Sequence, residues 1–223
     1  MVFETLRRHV HSIAYWAYVS FMGILGAGVS QIERPATLWP TLVTLLAIIA
    51  GARIIGPEFA SGTLQLVLVK PVKRCTYLVS RVAGVVLAVW LGAVVGLTGE
   101  TVGRLVTGPV PWDALLSAFL FATIDAILVV SLLAMFGSFT RGYTNVELYI
   151  GIQIVLLMIL AFARGKLPVW LATAIKFVQN NLFPDAPPAF DVDWLLLILS
   201  NAAIALVIAC FAFSKREVPY GAD

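Results

Sequence analysis

The chain has 223 residues, of which 61% are hydrophobic and only 12% charged, with a net charge of +3 and a mean hydropathy of +0.97. A soluble domain carries roughly a quarter of its residues charged, so this chain lacks the polar surface that water demands and belongs in a bilayer. Nucleic acid is not an expected partner, since there is no arginine-rich tract, zinc spacing or aromatic-basic groove.

A helix that crosses the ~30 Å hydrocarbon layer needs ~20 mostly apolar residues at ~1.5 Å each. Six stretches qualify: Ser12–Ser30, Leu38–Ile55, Tyr77–Thr98, Leu115–Phe136, Leu148–Ala163 (opening near Asn145) and Trp194–Phe213. Helices are expected because backbone groups in lipid must pair within the segment or in a closed barrel, and these runs lack the period-2 alternation of a barrel. No A-x-A-like cleavage site follows the first stretch, which is therefore expected to remain as a span. The prediction is one all-α membrane domain over residues 1–223, with six transmembrane helices.

Before the first span, Phe3, Leu6, Val10 and Ile13 recur at helical spacing, with Glu4, Arg7, Arg8 and His11 on the other side. That pattern predicts a helix over residues 1–11 lying on the membrane surface among lipid head groups, its arginines outward. With the N-terminus inside, six spans place ten of the fifteen basic residues on the cytoplasmic side, so both termini are expected to be cytoplasmic in a multi-pass protein of the plasma (inner) membrane. Cys75 and Cys210 then both face the reducing side, and no disulfide is expected. Residues 164–193 form the longest outer connection. Leu171, Ala174, Ile175, Val178 and Leu182 share one face between Pro168 and Pro184, which predicts an outer helix, interfacial or partly re-entrant.

Residues 56–76, between spans two and three, carry the most information. Gly56 and Pro57 end the second helix, and Ser61, Gly62 and Thr63 suit a turn or helix cap. Leu64 to Val69 is an apolar run too short to cross, closed by Lys70, Pro71, Lys73 and Arg74. Such an apolar segment beside the membrane calls for a protein surface to cover it.

The pattern Glu58-x-x-x-Gly62-Thr63-Leu64, then Lys70-Pro71-Val72-Lys73-Arg74 and Tyr77-Leu78, resembles the ABC-2 type permeases of ATP-binding cassette exporters. Pro57 departs from the pattern. The resemblance extends to the architecture, an ABC-2 (type V exporter-like) permease with an N-terminal amphipathic helix, six spans and a helical outer loop. It implies that Glu58, Gly62 and Thr63 shape a coupling segment, and that Leu64, Leu66, Leu68, Pro71 and Arg74 grip a separate ATPase subunit. It further implies a second permease chain, identical or not, and ATP with magnesium bound in the partner ATPase. This chain has no G-x-x-x-x-G-K-[ST] phosphate loop and is not expected to be an enzyme or to hold a cofactor.

Within the spans, Asp125 sits mid-helix, where a charge costs ~2.5–3.5 kcal/mol. Its candidate partners are Arg53, Gln153 and Asn201, and its candidate ligands a proton or a cation. Glu100 and Glu147 fall at span edges, within reach of water. Gly92 and Gly96 form a G-x-x-x-G pair suited to close helix packing, as do Gly23 and Ala27 more loosely. Trp16, Trp39, Trp112, Trp170 and Trp194 lie near predicted boundaries, as interfacial anchors do. Alternative functions are a non-transporting membrane component coupled to an ATPase, and an ion-coupled secondary transporter resting on Asp125. An intramembrane enzyme lacks the clustered acids, bases or metal ligands it would need.

Overall fold

A computed structural model of the chain describes residues 2–29, 38–52, 54–55, 73–140, 143–162, 167–183 and 191–215. Among them the helices are α1 (Val2–Val10), α2 (Ile13–Val29), α3 (Leu38–Gly51), α4 (Arg74–Thr107), α5 (Trp112–Phe139), α6 (Thr144–Phe162), α7 (Val169–Leu182) and α8 (Val192–Lys215). Every predicted span holds a helix. Four of them, α4, α5, α6 and α8, are long and apolar enough to cross a membrane on their own. A fifth crossing is reached if α1 and α2, bent by 73° at their junction, are counted as one broken span. Helix α3 has 14 residues, about 21 Å at the helical rise.

The largest departure from expectation is α4. Its 34 residues measure about 51 Å, well beyond the thickness of the hydrocarbon layer. The helix starts immediately after Lys73, whose backbone is extended (φ −61°, ψ 131°), and stops at Gly108, whose N–H still reaches the Arg104 carbonyl. Sequence hydropathy marks only its apolar centre. Pro111 and Pro168 stand directly before α5 and α7, where a missing N–H costs nothing.

Helix α4 forms the spine of the bundle because its glycines admit neighbours closely. A Cβ on Gly92 would lie 2.5 Å from the Leu46 side chain, and one on Gly96 would lie 2.5 Å from the Trp39 ring, both on α3. One on Gly99 would strike the Gly23 carbonyl of α2. The predicted close packing at the glycine pair is therefore found, with α3 and α2 filling the notches. Helix α5 lies between this group and α8; Trp90 on α4 donates to the Thr123 carbonyl at 3.0 Å, and Phe121 meets Trp194 edge to face.

Helix α7 turns back along α6. It begins seven residues after α6 ends, yet the Phe183 ring that follows it lies 5.2 Å from Tyr149, near the start of α6. Asn201, well inside α8, donates to the Asn181 carbonyl at 2.9 Å. Of the face predicted for α7, Leu171, Ile175 and Leu182 are half-buried, whereas Ala174 and Val178 are exposed.

Candidate coupling site

Of the coupling candidates, the structure describes Arg74 alone. Glu58, Gly62, Thr63, Leu64, Leu66, Leu68 and Pro71 lie outside the described residues, as does Arg53. What the structure does place is the ground on either side of that segment, where four helix ends meet.

Ile54 and Ile55, which follow α3, are fully buried. Arg81 on α4 donates from Nε to the Ile54 carbonyl at 3.2 Å and from Nη1 to Thr5 Oγ1 of α1 at 3.3 Å. Its guanidinium also stands 5.9 Å from the centre of the Tyr77 ring. His9 of α1 reaches the Ala50 carbonyl at 3.0 Å. Gly84 makes the approach of α1 possible, since a Cβ there would lie 2.6 Å from Thr5 Cβ and 2.8 Å from the Val2 carbonyl oxygen.

The end of α8 closes the group. Arg74 Nη1 donates to the Ser214 carbonyl at 3.2 Å, and Tyr77 stacks on Phe213 with ring centres 6.3 Å apart. Between these contacts Cys75 and Cys210 form a disulfide with a Cα–Cα distance of 4.9 Å, which corrects the expectation of two unpaired thiols. Compartment chemistry led away from it; the pairing follows from the helix ends meeting at one level. Arg81, Thr5 and Gly84 were not singled out from sequence. The available signal was an arginine seven residues into a long apolar helix, followed three residues later by glycine.

The apolar residues expected on one face of α1 divide between the bundle and its outer surface. Leu6 and Val10 pack against the core, but Thr5 is the buried residue of the helix, while Phe3 is 82% exposed. Ile13, grouped with that face in sequence, opens α2 beyond the bend and is 88% exposed. Arg7 and Arg8 point outward, and Arg8 pairs with Glu4 at 3.6 Å, an exposed contact of small energetic value.

A family model for an ABC-2 family transporter protein matches residues 19–218. The chain belongs to the ABC-2 transporter family. It is thus the membrane-embedded permease component of an ATP-binding cassette transporter, a multi-pass protein that associates with a cassette ATPase. A search of the curated proteins found no match.

The polar groups inside this permease differ from their expected settings. Glu100, expected at a wet edge, is 0% exposed; it accepts from Trp39 Nε1 and from Arg104 Nε, the latter at 2.9 Å. Trp39 and Trp194 are accordingly buried, whereas Trp16, Trp112 and Trp170 are exposed as anchors would be. Asp125, at the middle of α5, accepts from Thr44 Oγ1 of α3 at 3.0 Å. Asn201, a predicted partner of Asp125, is engaged with Asn181 instead.

Proposed function

We propose that this chain is the permease half of an ATP-driven exporter, with two copies or two related chains enclosing the pathway. In this reading α2, α3, α4, α5, α6 and α8 are six crossings, both termini face the cytoplasm across the plasma (inner) membrane, and α1 lies in the head-group layer. A separate ATPase binds ATP and magnesium and docks on the segment from Glu58 to Arg74. Glu58, Gly62 and Thr63 fix the shape of that segment; Leu64, Leu66, Leu68, Pro71 and Arg74 provide its grip.

The observation that carries the reading is the junction at the start of α4. The segment from Glu58 to Arg74 connects Ile55 to α4, and Ile54 is bonded to Arg81, which also holds α1. Arg74 and Tyr77 are tied to the end of α8. A displacement imposed on the segment would therefore move α1, α3, α4 and α8 together, because packed interiors transmit strain and do not absorb it. A 51 Å helix makes an effective lever from the docking side to the far surface.

The test uses the assembled transporter with Glu58→Ala and Leu66→Asp. Loss of an interface anchor should lower retention of the ATPase or its coupled hydrolysis about tenfold or more. Unchanged coupling in both variants refutes the docking assignment. An ATPase that stays bound and active while no transport occurs would identify a non-transporting membrane component.

A further inference from the structure

The Cys75–Cys210 disulfide joins the start of α4 to the last turns of α8. On the topology proposed above, that level faces a reducing compartment, where disulfides are rare and transient. A bridge placed there is one that is made and broken. Its two sulfurs differ in setting. Cys75 is exposed and is the second residue of α4, directly after Lys73 and Arg74. The first turn of a helix carries backbone N–H groups without helical acceptors, and with the neighbouring cations these favour the thiolate, the reactive form of cysteine. Cys210 is half-buried and packs on the core, next to the buried Ala209; apolar surroundings of this kind favour the thiol. An exposed thiolate held beside a second, sheltered thiol is the arrangement of a redox sensor and its resolving partner.

Contacts on either side of the bridge hold the two sulfurs together. Arg74 Nη1 donates to the Ser214 carbonyl at 3.2 Å in an exposed hydrogen bond, and Tyr77 stacks on Phe213. The Cα–Cα distance of 4.9 Å falls inside the range that a disulfide requires. The remaining helix ends of the junction are fastened from within. Arg81 of α4 is only 6% exposed and donates both to the Ile54 carbonyl behind α3 and to Thr5 of α1. The hydrogen bond to α8, by contrast, competes with water and contributes less. Of the four ends, that of α8 is therefore the one whose attachment depends on the state of the two thiols.

We propose that Cys75 and Cys210 form a peroxide-sensitive thiol switch that sets how firmly α8 is joined to α4. The Cys75 thiolate attacks the terminal oxygen of a hydroperoxide; an S–O bond forms and the O–O bond breaks. The leaving oxygen takes a proton from water, so sulfur is oxidised by two electrons and the peroxide reduced by two. Cys210 sulfur then attacks the sulfenic acid; the S–S bond forms, the S–O bond breaks, and hydroxide leaves as water with the Cys210 proton. A dithiol reverses the change by two exchanges, first forming a mixed disulfide with one cysteine and then leaving as its own disulfide, with both cysteines again thiols. In the dithiol state α8 lags when the neighbouring docking segment is displaced. In the disulfide state the four helix ends move as one body. The consequence for coupling rests on the permease reading above, whereas the thiol chemistry rests on the settings of the two cysteines.

The experiment uses the permease with its cassette ATPase in lipid nanodiscs, fully reduced and then treated with hydrogen peroxide. Wild type should close the bridge, and a glutathione buffer of cytosolic ratio should reopen it. Cys210→Ala should accumulate a dimedone-reactive sulfenic acid on Cys75. In Cys75→Ser the remaining Cys210 should react about tenfold or more slowly. Peroxide should raise the permease-dependent ATP hydrolysis of wild type several-fold, while both variants stay at the reduced wild-type level with or without peroxide. Equal reactivity of the two thiols, a bridge that the glutathione buffer leaves closed, or equal hydrolysis in the two thiol states overturns the proposal. A peroxide response that persists in both variants places the oxidised group elsewhere and also overturns it. ATPase co-purification is scored in parallel: its failure rejects the permease reading, and the reactivity and reversibility of the two thiols then decide the switch.

Discussion

Replacing Gly84 by alanine adds one methyl group at the point where α1 rests on α4, and the structure fixes what that methyl would meet. It would lie 2.6 Å from Thr5 Cβ, 2.8 Å from the Val2 carbonyl oxygen and 2.9 Å from Thr5 Cγ2. Ordinary contacts between such atoms are ~3.5–4.0 Å, so α1 must retreat by about 1 Å. Two of the three colliding atoms belong to a β-branched residue with few rotamers in a helix, and the third is backbone, so rotation alone gives little relief. The retreat lengthens the Arg81–Thr5 hydrogen bond, already 3.3 Å, beyond its useful range. Overpacking costs about 1–3 kcal/mol and the lost hydrogen bond about 1 kcal/mol, against about 1 kcal/mol gained from alanine's helix propensity, giving a net destabilisation of about 1–3 kcal/mol. Reversible unfolding in mixed micelles, followed by tryptophan fluorescence, measures it, and a faster protease cut near the N-terminus should accompany it. Gly151→Ala is the control, since a Cβ there meets nothing within 4 Å. A Gly84→Ala variant within about 0.5 kcal/mol of wild type, the range of an inert substitution, would refute the packing of α1 on α4 and with it the shared movement of the four helix ends.

Two further outcomes follow from the same packing. Glu100→Gln removes the counter-charge of Arg104 in a dry site and should cost about 3–5 kcal/mol in the same unfolding assay; a change under 1 kcal/mol would mean that water reaches the pair. In protein purified under oxidising conditions, a non-reducing peptide map should recover Cys75 linked to Cys210, a closure over 135 residues whose chain-entropy ceiling is about 5 kcal/mol. After reduction, a membrane-impermeant thiol reagent should label Cys75 from the cytoplasmic face only, and labelling from outside alone would invert the proposed topology.

Solvent class was legible in the sequence because it depends on composition summed over long windows. The apolar segments exceed what water tolerates, and each of the six contains a helix, since in an apolar medium a segment must satisfy its own backbone. The glycine pair at Gly92 and Gly96 was legible for a related reason: absence of a side chain permits close approach whatever the neighbour is. The family resemblance was readable from Glu58 to Leu78 as a linear pattern, and the family match over residues 19–218 agrees with it.

Only the tertiary structure decided which residues meet. Hydropathy could not show that α4 extends to 34 residues, because its polar ends are held by contacts with α1, α3 and α8. Glu100 looked wet from its place in the chain and is dry because Trp39 and Arg104, 61 positions before it and four after, close over it. Thr44 bonds to Asp125 while Asn201, one of its expected partners, is engaged with Asn181, and two cysteines 135 residues apart became neighbours. One-dimensional patterns record the medium each segment prefers, which is a local property. Contacts between segments depend on register, tilt and depth, which are set jointly by all the helices and are written in no single one of them.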